Sequence, residues 1–96
     1  MNLRIPKLRD MARHETCVAC GADDGTIVWA HSNLPEHGKG MGMKAHDPMG
    51  AFLCYRCHTA LDQGNKMTRA ERRDFILTAI CKTHLRLWQA DRVGLL

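Results

Sequence analysis

Two pairs of cysteines have the spacing of metal ligands. Cys17 and Cys20 form one pair and Cys54 and Cys57 the other, each with two intervening residues. Two intervening residues allow the chain to form a turn that directs both sulfur atoms of a pair at one ion. Four thiolates complete the tetrahedral coordination of a structural zinc. The alternatives are ordinary small core residues or a redox dithiol, although a redox dithiol leaves the second pair without a role. The pairs therefore predict a structural Zn²⁺ site.

Histidines near the cysteines add a second kind of ligand. The gap of 33 residues between the pairs exceeds the roughly 15–20 residues of a usual zinc ribbon, and His31 lies within it. His58 follows the fourth cysteine and Asp62 comes four residues later, so both side chains share one face if the segment is helical. An imidazole and a carboxylate so placed can hold one divalent cation that is otherwise open to water and phosphate. The alternative is a pair of solvated surface groups.

The elements that must position these residues follow from local patterns. Residues 26–30 and 51–55 predict two strands, and the prolines and glycines of residues 32–50 predict a long loop between them. A loop of this length is uncommon in a small domain unless it is functional. Short helices are expected at about 6–13, where Pro6 can begin a helix, and from about 57 to 61.

The longest predicted helix occupies residues 69–92, after a capping box formed by Thr68 and Glu71. Its apolar positions predict a buried stripe of Leu77, Cys81, Leu85 and Trp88, flanked by Ile76, Ile80 and Leu87. Cys81 is accordingly expected to be a buried core thiol. The opposite face carries Arg72, Lys82 and Arg86. This basic face has two interpretations: it is solvated, or it contacts a nucleic-acid backbone.

Length and composition limit the class of protein. The 96 residues predict one domain over residues 1–96, with its core at about 15–64 in front of the last helix. Apolar residues make up 45% of the chain, but only five are aromatic. This excludes a disordered tail, a collagen-like chain and a coiled coil. A core with so few aromatic residues is expected to need a bound metal or a disulfide for stability. The net charge of +4 is compatible with a polyanionic partner but does not require one.

No apolar run has the length of a signal peptide's apolar region or of a membrane span. We therefore expect a cytoplasmic protein with no membrane partner. In that reducing compartment, paired cysteines bind metals more often than they form disulfides.

The order of these residues resembles the HNH, or His-Me finger, family of metal-dependent endonucleases. The matching positions are Cys17, Cys20, Ala30-His31, Cys54, Cys57-His58 and Asp62. More narrowly, three segments are similar to the small phage and prophage nucleases of the YbcO type, which are related to the phage recombination endonuclease Ref. These segments are Ala-His-Ser-Asn at 30–33, Gly-Lys-Gly-Met-Gly-Met-Lys at 38–44 and Leu-Cys-Tyr-Arg-Cys-His-Thr-Ala-Leu-Asp at 53–62. The resemblance covers roughly residues 8–90.

This resemblance implies an α+β fold. Its small ββα-metal core would consist of strands near 26–31 and 51–55 and a helix from about residue 57, beside the four-cysteine zinc site and the long C-terminal helix. His31 then corresponds to the general base, and His58 and Asp62 to ligands of a catalytic cation. For that cation we expect Mg²⁺ or Mn²⁺, with Zn²⁺ or Ni²⁺ as alternatives.

The chain departs from the fuller HNH pattern at two positions. Ala30 stands where the family often has Asp or His, and it cannot bind a metal. The asparagine usually found shortly before the second cysteine pair is absent, and Asp47 is the nearest polar residue. We therefore expect Asp47 to belong to the site, either by orienting the loop or by approaching the metal.

Together these residues and the resemblance predict a metal-dependent endonuclease that hydrolyses DNA with little sequence specificity. The resemblance also implies a role in phage or prophage recombination or DNA processing. The expected contacts with the DNA backbone are Lys39, Lys44 and Arg56. A mobile polar loop with no ligand is the alternative interpretation of the glycine-rich segment. The alternative function is a non-catalytic zinc-knuckle module that binds nucleic acid or a protein, because such a module needs only the four cysteines. A homodimer and the form of the DNA substrate remain open.

Overall fold

The order of elements is helix, strand, strand, helix, helix. The computed structural model describes residues 2–64 and 66–90. Its elements are α1 (Pro6–Ala12), β1 (Val28–His31), β2 (Gly50–Leu53), α2 (Tyr55–Asp62) and α3 (Arg69–Gln89), with a 3-10 turn at Pro35–His37 between the strands. The structure therefore confirms a small α+β fold with a two-stranded sheet and a long last helix.

The two strands are antiparallel and carry the centre of the core. Trp29 pairs with Phe52, and His31 at the end of β1 pairs with Gly50 at the start of β2. All four residues of β2 are buried, with α3 packed against β2 and α1 against β1. Gly50 is required by close approach, since a Cβ atom there would lie 2.5 Å from Nε1 of Trp29. This packing fixes the end of β1, and with it the position of His31.

The strands and α2 differ from the prediction at their boundaries. Strand β1 begins at Val28 rather than at Thr26, because the Thr26 amide and hydroxyl both donate to the Asp24 carboxylate in a local turn. Strand β2 ends at Leu53 because Cys54 already serves as the N-cap of α2, its sulfur accepting from the amide of Cys57. Helix α2 therefore begins at Tyr55, two residues earlier than predicted.

Helix α3 confirms the predicted capping box of Thr68 and Glu71, but it buries a different face. The buried positions are Ile76, Ala79, Ile80 and Thr83. The predicted stripe is wrong in three places: Cys81 is exposed, as are Leu85 at 59% and Trp88 at 69%. Small residues on the buried face let α3 approach β2 so closely that the Thr83 hydroxyl accepts from the amide of Phe52. The predicted end of α3 at 91–92 lies outside the described residues.

No helix in the described part of the chain combines the length and apolar character needed to cross a membrane.

Candidate metal centre and active site

The four paired cysteines come together in one cluster. Their sulfur atoms all lie within 4.8 Å of one another, and Sγ of Cys20 is 3.6 Å from Sγ of Cys54. Zinc–sulfur bonds of about 2.3 Å place tetrahedral sulfur ligands about 3.8 Å apart, so the cluster fits such an ion. Within residues 2–64 and 66–90, no other group of three or more His, Cys, Asp or Glu side chains lies close enough together to hold one metal ion. The cysteines are thus positioned to hold a metal ion, consistent with structural zinc.

Backbone hydrogen bonds form the cluster from two distant segments. The first pair lies in a turn closed by bonds from the Cys17 amide to the Ala22 carbonyl and from the Gly21 amide to the Cys17 carbonyl, both 2.9 Å. The amide of Val18 then donates to the carbonyl of Phe52, which attaches this turn to β2. The second pair occupies the start of α2. A metal bound here would join the first turn to the junction of β2 and α2.

Thiol pKa values within the cluster are shifted in opposite directions. Burial raises the pKa of Cys17, but hydrogen bonds from the backbone at Cys54, Cys20 and Ala19 outweigh it and lower the value to about 7. Burial raises the pKa of Cys57, and its neighbouring thiols raise it further. The first cysteine is therefore ready to act as a thiolate at neutral pH. The fourth needs a nearby positive charge to lose its proton, and a bound metal ion supplies one.

His31 and Asp47 form a hydrogen-bonded pair where β1 ends. Nε2 of His31 is 2.7 Å from Oδ1 of Asp47, and Asp47 is only 6% exposed. The same carboxylate accepts from Nη1 of Arg4 at 3.0 Å and from the amide of Ile5. Burial raises the pKa of Asp47, but the bonds from His31, Ile5 and Arg4 lower it by more, so it lies below its ordinary value. Asp47 is therefore an ionised residue that orients the imidazole.

The segment before α1 secures the loop that carries Asp47. The side chain of Asn2 donates to the carbonyls of Gly38 and Lys44, both at 2.7 Å. The guanidinium of Arg4 donates to the Lys44 and Ala45 carbonyls as well as to Asp47. Sequence reasoning missed Asn2 and Arg4 because their partners lie about 40 residues along the chain. No local pattern marks either of them.

We expect replacement of Asp47 by asparagine to destabilise the fold by about 1–3 kcal/mol at neutral pH, because several of its hydrogen bonds involve a charge. Because the pKa of Asp47 is lower in the folded protein than its ordinary value of 3.8, the ionised carboxylate contributes its full stabilisation above that value. The stabilisation is lost as the pH falls through the pKa that Asp47 has in the folded protein. The difference between wild type and Asp47→Asn should therefore persist from pH 8 to about 5 and shrink as the pH falls below 3.8. Urea unfolding across this range measures it, and equal stabilities at pH 7 would contradict the account.

His58 and Asp62 form the predicted pair on α2. Nε2 of His58 is 2.8 Å from Oδ2 of Asp62, and this bond raises the pKa of His58 against the opposing effect of burial. Oδ1 of Asp62 accepts from Nδ2 of Asn33 at 2.8 Å. Asn33 follows His31 by two residues, so this bond ties the exit of β1 to α2. Sequence reasoning gave Asn33 no role, although it stands within the Ala-His-Ser-Asn segment.

The predicted DNA contacts lie in separate places. Lys39 is half-buried, whereas Lys44 and Arg56 are exposed. The two lysines belong to the loop between the strands, which turns back through a bridge from Gly40 to Met43. Arg56 lies in the first turn of α2, close enough to Asp24 to lower the pKa of that carboxyl, after the larger effect of Thr26.

Comparison with known proteins identifies one family. The family model described as putative nuclease YbcO matches residues 6–92. No curated protein and no solved structure matches the chain.

Proposed function

Since the chain belongs to the YbcO nuclease family, we propose that it is a metal-dependent endonuclease of the HNH type that hydrolyses DNA. The observation that carries the proposal is the bond from Asn33 to Asp62. It joins the strand that ends in His31 to the helix that bears His58 and Asp62. A candidate base and a candidate metal pair therefore share one end of the sheet, in the ββα order that the HNH resemblance implies.

His31 is the proposed general base. Because Nε2 donates to the ionised Asp47, the lone pair of the neutral ring lies on Nδ1. An imidazole can take a proton from the attacking water near neutral pH, and Asp47 then stabilises the imidazolium by charge. Asp47 thus acts through His31 as a positioning residue.

His58 and Asp62 are the proposed ligands of the catalytic cation, and Asn33 orients the carboxylate from outside. A divalent cation bound there supplies charge neutralisation for the scissile phosphate and the leaving oxygen. One imidazole and one carboxylate leave most coordination positions to water, which suits Mg²⁺ or Mn²⁺ better than an ion that requires a full set of protein ligands. Zn²⁺ and Ni²⁺ are the alternatives. Ala30, next to the base, is fully buried and contributes no ligand.

A zinc ion at the four cysteines has a structural role in this proposal. Four protein ligands fill its tetrahedral coordination, so it keeps no position for water or substrate. Lys39, Lys44 and Arg56 are proposed to bind the DNA backbone by charge, which gives affinity with little sequence preference. Such an activity suits phage or prophage DNA recombination or processing.

Replacement of Asp62 by asparagine is expected to abolish nicking of supercoiled plasmid at an Mn²⁺ concentration that saturates the wild type. Asn33→Ala removes only the outer hydrogen bond and should raise the Mn²⁺ requirement about 10–100-fold. Asp10→Asn removes an exposed carboxylate of α1 and serves as the matched control, with no change expected. An Asp62→Asn variant that nicks with the wild-type Mn²⁺ dependence would show that this pair does not bind the metal.

A further inference from the structure

A cavity of about 480 Å³ adjoins the candidate metal pair. It lies between the loop at 33–36 and the first two turns of α3, and both Asn33 and Asp62 line its wall. Its volume falls within the range of sites that take small ligands. One of the two proposed ligands of the catalytic cation, Asp62, therefore lies in the wall of the cavity.

Three arginines of α3 line the other side of this cavity: Arg69, Arg72 and Arg73. Arg72 donates to the carbonyl of Gly64. Its guanidinium is therefore already hydrogen-bonded to the segment that precedes α3. Arg73 pairs with Glu36 at 2.7 Å, but both side chains are about half exposed. Arg69 makes no ion pair within residues 2–64 and 66–90. Two guanidinium groups can therefore turn towards an anion in the cavity.

Apart from Glu36, the remaining lining residues are apolar: Leu34, Pro35, Leu61 and Ile76. A sugar–phosphate backbone is complementary to a cavity that is lined by both apolar side chains and arginines. Its sugars can pack against an apolar floor, and its phosphates accept paired hydrogen bonds from a guanidinium fork. Glu36 offers the only carboxylate besides Asp62 among the residues that line the cavity, and it occupies Arg73 until a stronger anion replaces it.

We propose that this cavity binds one strand of the substrate DNA, with Arg69 and Arg73 holding the phosphate adjacent to the scissile one. The inference rests on the proposed function, because it assigns the scissile phosphate to the neighbouring pair of His58 and Asp62. In addition to the proposed site, the arginine side chains of α3 would then contact the DNA backbone. Glu36 would compete with the DNA phosphate for Arg73.

The test measures how DNA affinity depends on salt. Zinc-loaded wild type, Arg69→Ala and Glu36→Gln are titrated against labelled single-stranded and duplex oligonucleotides by fluorescence anisotropy, without added catalytic metal. Loss of one phosphate contact lowers the slope of log affinity against log salt by about 1, and we expect this of Arg69→Ala. Glu36→Gln frees Arg73 and should bind more tightly than wild type. Arg9→Ala is the matched control, since Arg9 is exposed on α1 and does not line the cavity, and its slope should not change.

Equal slopes for wild type, Arg69→Ala and Arg9→Ala would overturn the inference, as would slopes that are lowered equally in Arg69→Ala and Arg9→Ala. Plasmid nicking by the wild type with Mn²⁺ is measured separately. Nicking together with an unchanged Arg69→Ala slope refutes the arginine contact and leaves the proposed function intact. A reduced slope without nicking supports the strand contact while the nuclease proposal fails.

Discussion

Replacement of Cys54 by serine is expected to abolish zinc binding and cooperative folding of the chain. Cys54 is 1% exposed, contributes one of the four clustered sulfur atoms and caps α2. Structural zinc contributes roughly 10–16 kcal/mol in small zinc-binding peptides, whereas a whole domain is stable by only about 5–15 kcal/mol. The loss of this ion therefore costs more free energy than the rest of the fold can supply, since Trp29 and Phe52 are the only buried aromatic side chains among the described residues.

Cys81→Ser provides the matched control, because Cys81 is exposed on α3 and lies outside the cluster. This variant should retain one zinc per chain and the wild-type melting temperature. Zinc content after dialysis and thermal melting followed by circular dichroism measure both properties. A zinc-free Cys54→Ser protein with the cooperative transition of the wild type would refute the structural role of the metal.

Replacement of His31 by alanine is expected to reduce metal-dependent DNA cleavage by about 10²–10⁴-fold, the usual contribution of a general base. The side chain of His31 is only 15% exposed and is hydrogen-bonded to Asp47, so truncation also removes packing and a hydrogen bond. The zinc content should nevertheless remain that of the wild type, because His31 lies outside the four-cysteine cluster. Plasmid nicking and zinc content are measured on the same preparation. Reduced cleavage with unchanged zinc separates a catalytic effect from a loss of the fold.

His14→Ala is the control for His31→Ala. His14 is an exposed histidine that follows α1, and its removal should leave cleavage unchanged. Cleavage by His31→Ala at the rate of His14→Ala would exclude His31 as the base.

Local patterns predicted the parts of the site that lie close together in sequence. The two cysteine pairs, the placement of His58 and Asp62 one helical turn apart, and the capping box of α3 each depend on spacings of a few residues. The structure confirms these arrangements. The geometry within each of them is set by one turn of backbone, so sequence alone suffices for it. The meeting of the two cysteine pairs depends in addition on the hydrogen bond from Val18 to Phe52.

Long-range hydrogen bonds could not be predicted in the same way. Asp47 was expected in the site without a definite partner, and the structure pairs it with His31 and Arg4, 16 and 43 residues away. Asn33 meets Asp62 across 29 residues. These contacts depend on how the strands and loop pack, and no spacing in the chain encodes them.

The error in α3 has a similar origin. Two apolar stripes run along this helix, and periodicity favoured the one with the larger side chains. The neighbouring strand decides between them, because β2 accepts a close helix whose contact positions include Ala79 and Thr83. A helix pattern without its partner cannot reveal which face offers the closer fit.

Plasmid cleavage tests directly whether this chain hydrolyses DNA when a divalent metal is supplied. Zinc-loaded wild-type protein is incubated with supercoiled plasmid and Mg²⁺, Mn²⁺, Ni²⁺ or Zn²⁺ in turn, beside His31→Ala. We expect metal-dependent conversion to nicked or linear plasmid by the wild type and almost none by His31→Ala. Folded, zinc-loaded wild type that leaves the plasmid intact with all four metals would contradict the proposed function.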